Sequence, residues 1–237
     1  MIRRLIPLIL LPALALTCSS IPSGKEGEAA EKLAADMLQA AGLPQWQKTA
    51  AVEFTFAGMR SHLWDKARGL VQYRKGDIVV RFSKDSFRGV AYEKGKRIED
   101  GKRVWSLIEE ANSAFINDTF WLQPLFHISS PGARRYLIEP DSLRVTFFEG
   151  GVTPGDSYIF TPAADRRLQK MQMWVKILPV KGAVAEFSEY TTTETGVPVA
   201  LRRKTAVKDI VLSGVKFYAA FPPAGQKDPF ADLSPTP

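Results

Sequence analysis

Apolar and polar residues alternate with a period of two over four stretches of the chain, the pattern of strands with one buried face. Val52, Phe54 and Phe56 alternate with Glu53 and Thr55, and Ile78, Val80 and Phe82 with Val79 and Arg81. Leu143, Val145 and Phe147 alternate with Arg144 and Thr146. The longest run sets Met171, Met173, Val175 and Ile177 against Lys170, Gln172, Trp174 and Lys176. Further strands are predicted over 69–74, 89–93, 156–160, 183–190, 197–204 and 210–218, separated by turn signals such as Lys75-Gly76-Asp77, Gly150-Gly151 and Thr195-Gly196. Nine or ten strands linked mostly by hairpins make an antiparallel meander, because parallel pairing would need a crossover between each pair.

Two segments follow a helical period instead. In 104–128, Trp105, Ile108, Ala111, Phe115, Leu122 and Phe126 recur along one stripe, Asn117, Asp118 and Thr119 are candidate N-caps that break the helix, and Pro124 stops it. In 28–41, strong helix formers carry a narrow stripe of Leu33, Met37 and Leu38, which places that helix on the rim, and it ends at Gly42 before Pro44. Two helices cannot cover ten strands unless the sheet curls around them. The predicted fold is mainly β (α+β): a large curved antiparallel sheet forming an unclosed half-barrel, with an N-terminal helix and a mid-chain helical lid or plug. The proline-rich stretch 222–237 is expected to be loose.

At 237 residues, 45% hydrophobic and 24% charged, the chain can bury one sizeable core, and one domain over 28–221 is expected. Residues 1–17 hold Arg3 and Arg4 ahead of LIPLILLPALAL, too short to span a bilayer and suited to a secretory signal. The run ends at Cys18, the single cysteine, which cannot form an internal disulfide. Ala15-Leu16-Thr17-Cys18 resembles a bacterial lipobox, although Thr17 stands where Gly, Ala or Ser is usual. That resemblance implies acylation of Cys18 by a palmitate-type chain, a tether over 18–27 and a membrane anchor; an ordinary secretory signal with an incidental cysteine is the alternative. Ser19 in place of an aspartate favours an outer-membrane location facing the periplasm. The net charge of +7 falls to +5 without Arg3 and Arg4 and is spread in doublets. An exported basic protein meets lipid headgroups rather than nucleic acid.

Candidate chemistry is sparse. Gly155-Asp156-Ser157-Tyr158 mimics the GDS block of one esterase class, whose serine needs a histidine base, and only His62 and His127 are present. Thr153-Pro154-Gly155-Asp156 reads more simply as a turn. Residues 95–102 lack the glycine spacing and hydroxyl of a phosphate loop. Two histidines without nearby cysteines do not suggest a metal site. Arg202-Arg203-Lys204 reads as a solvated strand end. Neither catalysis nor a cofactor is expected.

An exported chain with an N-terminal helix, a long meander and helices inserted midway resembles the LolA/LolB-type lipoprotein-carrier fold. Asn117-Asp118-Thr119-Phe120-Trp121-Leu122 and Val152-Thr153-Pro154-Gly155-Asp156-Ser157-Tyr158 are similar to motifs of an uncharacterised family of bacterial envelope lipoproteins with that presumed fold. The resemblance implies a cavity under a helical lid that receives a lipid or the acyl chain of a lipoprotein. Its lining would come from Trp105, Phe115, Phe120, Trp121, Leu125 and Phe126 of the lid and from Phe147, Met171 and Met173 of the strands. The alternative is an envelope interaction or structural module whose barrel is filled by its own side chains. A monomer is the default.

Overall fold

A computed structural model describes residues 20–149, 154–177 and 181–233. The expected signal peptide, Cys18, the Gly150-Gly151 turn, Val152 and Thr153 of the second motif, and residues 234–237 lie outside the described residues. Helix α1 (Glu28–Ala40) and the short α2 (Leu43–Lys48) precede β1 (Ala51–Phe56), β2 (Arg60–Asp65), β3 (Leu70–Lys75), β4 (Ile78–Ser83), β5 (Gly89–Glu93) and the two-residue β6 (Lys96–Arg97). Helix α3 (Gly101–Leu122) and a 3-10 turn (Pro124–His127) follow. The chain then forms β7 (Ala133–Ile138), β8 (Ser142–Phe147), β9 (Ser157–Pro162), β10 (Leu168–Trp174), β11 (Ala183–Thr192), β12 (Pro198–Thr205) and β13 (Ile210–Tyr218).

These strands make one 13-stranded antiparallel sheet in the order β6-β5-β4-β3-β2-β1-β13-β12-β11-β10-β9-β8-β7. It is two meanders joined through β1 and β13, with Phe56 opposite Leu212 and Ala51 opposite Tyr218. It does not close: β6 and β7 are free edges, as expected of a half-barrel. Three strands escape the sequence pattern for a physical reason. In β2 the inward positions are His62 and Trp64, which pack on Phe54 and Phe115, so the alternation is carried by residues that do not read as apolar. In β7 an inward arginine, Arg135, bonds the Ile128 carbonyl and Glu31 of α1. Strand β6 is too short to show a period. Conversely, the long strand predicted to reach Ile177 stops at Trp174, and Ile177 is 71% exposed.

The helices fill the hollow. Helix α1 lies over β7 and β8 rather than on the rim, because Ala30, Ala34 and Ala41 widen its apolar stripe and let Leu33 and Met37 reach Leu143, Val145 and Met171. Helix α3 packs on β3, β4 and β5 through Ile108, Ala111 and Phe115. The approach is close: a Cβ at Gly89 would come within 3.0 Å of Ile108. The predicted break at 117–119 does not occur. Asp118 is committed to partners on β2, and the Thr119 hydroxyl bonds the Phe115 carbonyl within the helix, so neither caps. The cap is Asp100, whose carboxylate accepts from the amides of Lys102 and Arg103.

The stretch after 222 is not loose as far as residue 233. It runs along the outer face of β4 and β5, where Asp228 pairs with Arg68 and Asp232 accepts from Arg81 and Tyr92. Phe230 is 1% exposed beneath the Arg68 guanidinium. Phe230→Ala is therefore expected to cost about 3 kcal/mol in a urea titration, whereas a detached tail would register no change.

Candidate functional site

Of the nine side chains expected to line an interior site, seven gather in one place. Leu125, Met171 and Met173 are buried in a single cluster between α1, the Pro124–His127 turn and strands β7 to β12, and Phe120, Trp121, Phe126 and Phe147 pack against it. Tyr158 is the hub of the aromatic contacts, with ring centroids 5.0 Å from Phe120 and 5.7 Å from Phe147. Burial pushes its phenol well above the ordinary range. The other two expected residues lie elsewhere. Trp105 is on the outer side of α3 beside Phe87, 51% exposed. Phe115 is buried in the separate cluster under β3 to β5, against Trp64. Helical spacing puts Trp105 and Phe115 on one stripe with Phe126, but α3 is long enough that its two ends face different parts of the sheet. Met37, Leu168, Phe187 and Tyr190 join those seven and were missed, because they come from elements scattered along the chain.

A crevice between Ala41, Gln123, Leu125, Leu168, Tyr190 and Pro198 borders this group and leaves no room for a water molecule. Burial raises the Tyr190 phenol to about 12, and its hydroxyl donates to the Leu168 carbonyl at 2.6 Å.

Helix α3 is fastened to the sheet by charge at one rim. Arg103 pairs with Glu93 at the end of β5, Glu110 with Lys75 at the end of β3, and Asp118 with Arg60 at the start of β2. The last of these is buried. Asp118 is 0% exposed and accepts from Arg60 Nε at 2.6 Å, from Arg60 Nη2 at 2.7 Å and from His62 Nε2 at 2.7 Å. Burial pushes its carboxyl up, but hydrogen bonds from Arg60, His62 and Asn117 together outweigh that and hold it below the ordinary value of 3.8.

A second buried charge holds the last turn of α3, one turn beyond Asp118. Arg203, expected on a solvated strand end, is 0% exposed, because β12 turns it toward Phe187 on β11. Its guanidinium donates to the Ala200 carbonyl and, at 3.0 Å, to the carbonyl of Leu122, the last residue of α3. The last turn of α3 carries no basic residue of its own, so Arg203 supplies from the sheet the cation that satisfies a free helix-terminal carbonyl. No carboxylate pairs with it among the described residues, and burial draws its pKa down to about 9. Gln123 adds a bond from Nε2 to the Pro198 carbonyl.

Ser157 and His127 do not form a catalytic pair. Ser157 alternates along β9 with Tyr158 and Phe160, which enter the interior cluster, so it points to the convex face, where its hydroxyl is 2.8 Å from that of Thr146. His127 is on the concave side against Phe120, and burial depresses its pKa.

No family model matches the chain, and no curated protein matches it. Among solved structures it is similar to a LolA superfamily protein from Nitrosomonas europaea, at 12% identity over 77% of this chain and 92% of that one, with a TM-score of 0.35. The open sheet with a mid-chain helix in its hollow is the architecture that the LolA/LolB-type resemblance implied.

The polar fastening gives a signed prediction. Asp118→Asn leaves Arg60 and His62 without their carboxylate and should cost roughly 3 kcal/mol at pH 7. Because the native carboxyl is held below its unfolded value, that stability is fully present above about pH 4 and is lost as the pH falls through the depressed native value. Denaturant titrations of parent and variant should therefore converge toward acid; a gap that stays constant from pH 7 to pH 2 would show that the carboxylate is not the fastening.

Proposed function

We propose that the chain is a non-catalytic binding protein that takes the hydrocarbon of a lipid, or of an acylated lipoprotein, between the concave sheet and the segment from Phe120 to Phe126. The observation that carries this reading is the make-up of the seven-residue interior group. It consists of a leucine and three aromatic side chains from a segment fastened by a few polar bonds at Asp118 and Leu122, and of two methionines and a phenylalanine from strands of a sheet that is not closed. Methionine thioethers adapt to varied hydrocarbon shapes.

Because these side chains pack against one another, a ligand that enters between them has to replace contacts already made. Releasing Phe120, Trp121, Leu125 and Phe126 forfeits about 1.5–3 kcal/mol each, or roughly 6–12 kcal/mol together, while each buried methylene returns about 0.8 kcal/mol. A ten-carbon chain, at about 8 kcal/mol, falls inside that cost, whereas a sixteen-carbon chain, at about 12–13 kcal/mol, meets or exceeds it. The reading therefore favours long acyl chains over short ones. The dry crevice supports a second reading, an interaction module of the envelope with a permanently filled barrel.

Native mass spectrometry of the chain from Ser19 onward, before and after incubation with vesicles or with C10 to C18 fatty acids, separates the two. The carrier reading expects a single lipid adduct and thermal stabilisation that appears at the longer chain lengths. Absence of adduct and of stabilisation at every length leaves the filled module. We further propose export and anchoring through an acylated Cys18. Cys18→Ser is expected to move the protein from the membrane to the soluble fraction of lysed cells, and unchanged fractionation removes the lipid anchor.

A further inference from the structure

The strand directions sort every connection to one of two rims, and the two rims differ in chemistry. The β1–β2, β3–β4, β5–β6, β8–β9, β10–β11 and β12–β13 connections fall at one rim, and those between β2–β3, β4–β5, β7–β8, β9–β10 and β11–β12 at the other. Eight large apolar side chains are exposed among the described residues. Five of them, Met59, Phe148, Ile177, Val184 and Val207, stand at the first rim, with Val207 96% and Ile177 71% exposed. Trp105 and Ile116 lie on α3, which is fastened to that same rim through Glu93, Lys75 and Arg60. The eighth, Ile21, is in the N-terminal segment that pairs antiparallel with the end of β7, on the side of the β7–β8 connection.

Charge follows the same division. The second rim neutralises itself through Asp65–Arg68, Lys84–Asp85, Asp141–Arg166 and Asp165–Arg167. At the first rim, cations flank the exposed apolar tips: Lys176 precedes Ile177, Lys208 follows Val207, and the Arg134 guanidinium is 5.1 Å from the Phe148 ring. Beside them, Lys94, Lys96, Arg97 and Arg103, with Glu93 and Ile98, line an open groove of about 310 Å3, in which Arg103 is paired with Glu93 and Arg97 with Glu99.

We infer that the first rim is a docking surface for an anionic phospholipid bilayer. Its apolar residues are single side chains on separate turns, spread along a rim of roughly 60 Å if unrolled at about 4.8 Å per strand. A protein partner is recognised through a contiguous buried patch. A planar headgroup layer instead accepts isolated apolar tips wherever they touch it, and lysines beside them meet lipid phosphate. The basic groove gives phosphate a further seat at the same level. Docked in this way, α3 lies against the headgroups. The inference does not depend on the interior taking a ligand.

The test uses the full chain, so that residues 1–19 contribute equally to parent and variants. Phe148→Ser, Ile177→Ser and Val207→Ser combined change exposed positions only, and a thermal melt checks that the fold is kept. In cosedimentation with vesicles of phosphatidylglycerol and phosphatidylcholine, the triple variant should partition about tenfold or more weakly than the parent. An N-terminal segment that dominated partitioning would mask this difference, so a site-specific reading is taken as well. Val207→Trp should shift its emission to the blue on these vesicles and be quenched by brominated acyl chains, less so on phosphatidylcholine alone. Asp85→Trp, at the second rim, should do neither. A Val207→Trp signal that ignores vesicles, or an equal response at Asp85→Trp, overturns the inference, the first outcome leaving this rim to a protein partner.

Discussion

The controlling constraint is a problem of connection. The sheet finishes its first meander at β6 on one free edge and resumes at β7 on the other, so the chain between them has to travel the full width of the sheet. Passing outside would expose the apolar stripe of α3 to water; passing through the hollow buries it. The crossing segment thereby becomes the core of the concave side. Helix α1 fills the flank that α3 does not reach, against β7 and β8, and the sheet curls because it must cover both.

Two buried charges hold that crossing segment, and they differ in kind. Asp118 is matched by a guanidinium at two contacts and by an imidazole at a third, so its desolvation is offset by charge-assisted bonds. Among the described residues, Arg203 meets carbonyl oxygens and the face of Phe187. A buried cation without a counter-ion is costly, and its depressed pKa records that cost. What it gains is the partial negative charge at the end of α3, which is weaker than a carboxylate. Of the two fastenings, the one at Leu122 is thus the more easily given up, and it is the one beside the methionine-rich interior.

The sheet class was legible because β1, β4, β8 and β10 alternate cleanly, and the plug was legible because its stripe exceeds what a surface helix needs. The strands that stayed hidden turn polar or amphipathic residues inward: His62 and Trp64 in β2, Arg135 in β7. The break proposed at Asn117 to Thr119 rested on cap propensity, which tertiary partners override. Seven of the nine candidate interior residues converge because they belong to the C-terminal part of the crossing segment and to neighbouring strands. Trp105 and Phe115 do not, because a stripe on a helix of 22 residues does not reveal which strands lie under which turn. Arg203 was unreadable beside Arg202 and Lys204; only the register opposite Phe187 shows which of the three is inside.

The free margins of the sheet are treated unequally. At β6 pairing stops after two residues, too little backbone to template a further strand. Strand β7 is six residues long, and its outer side is met at one point by Lys25, whose amide and carbonyl exchange hydrogen bonds of 2.9 and 2.8 Å with Leu137. The chain's own leading segment thus occupies a position where another molecule's strand could otherwise begin to pair, so an edge that the short β6 protects by length is protected at β7 by occupancy.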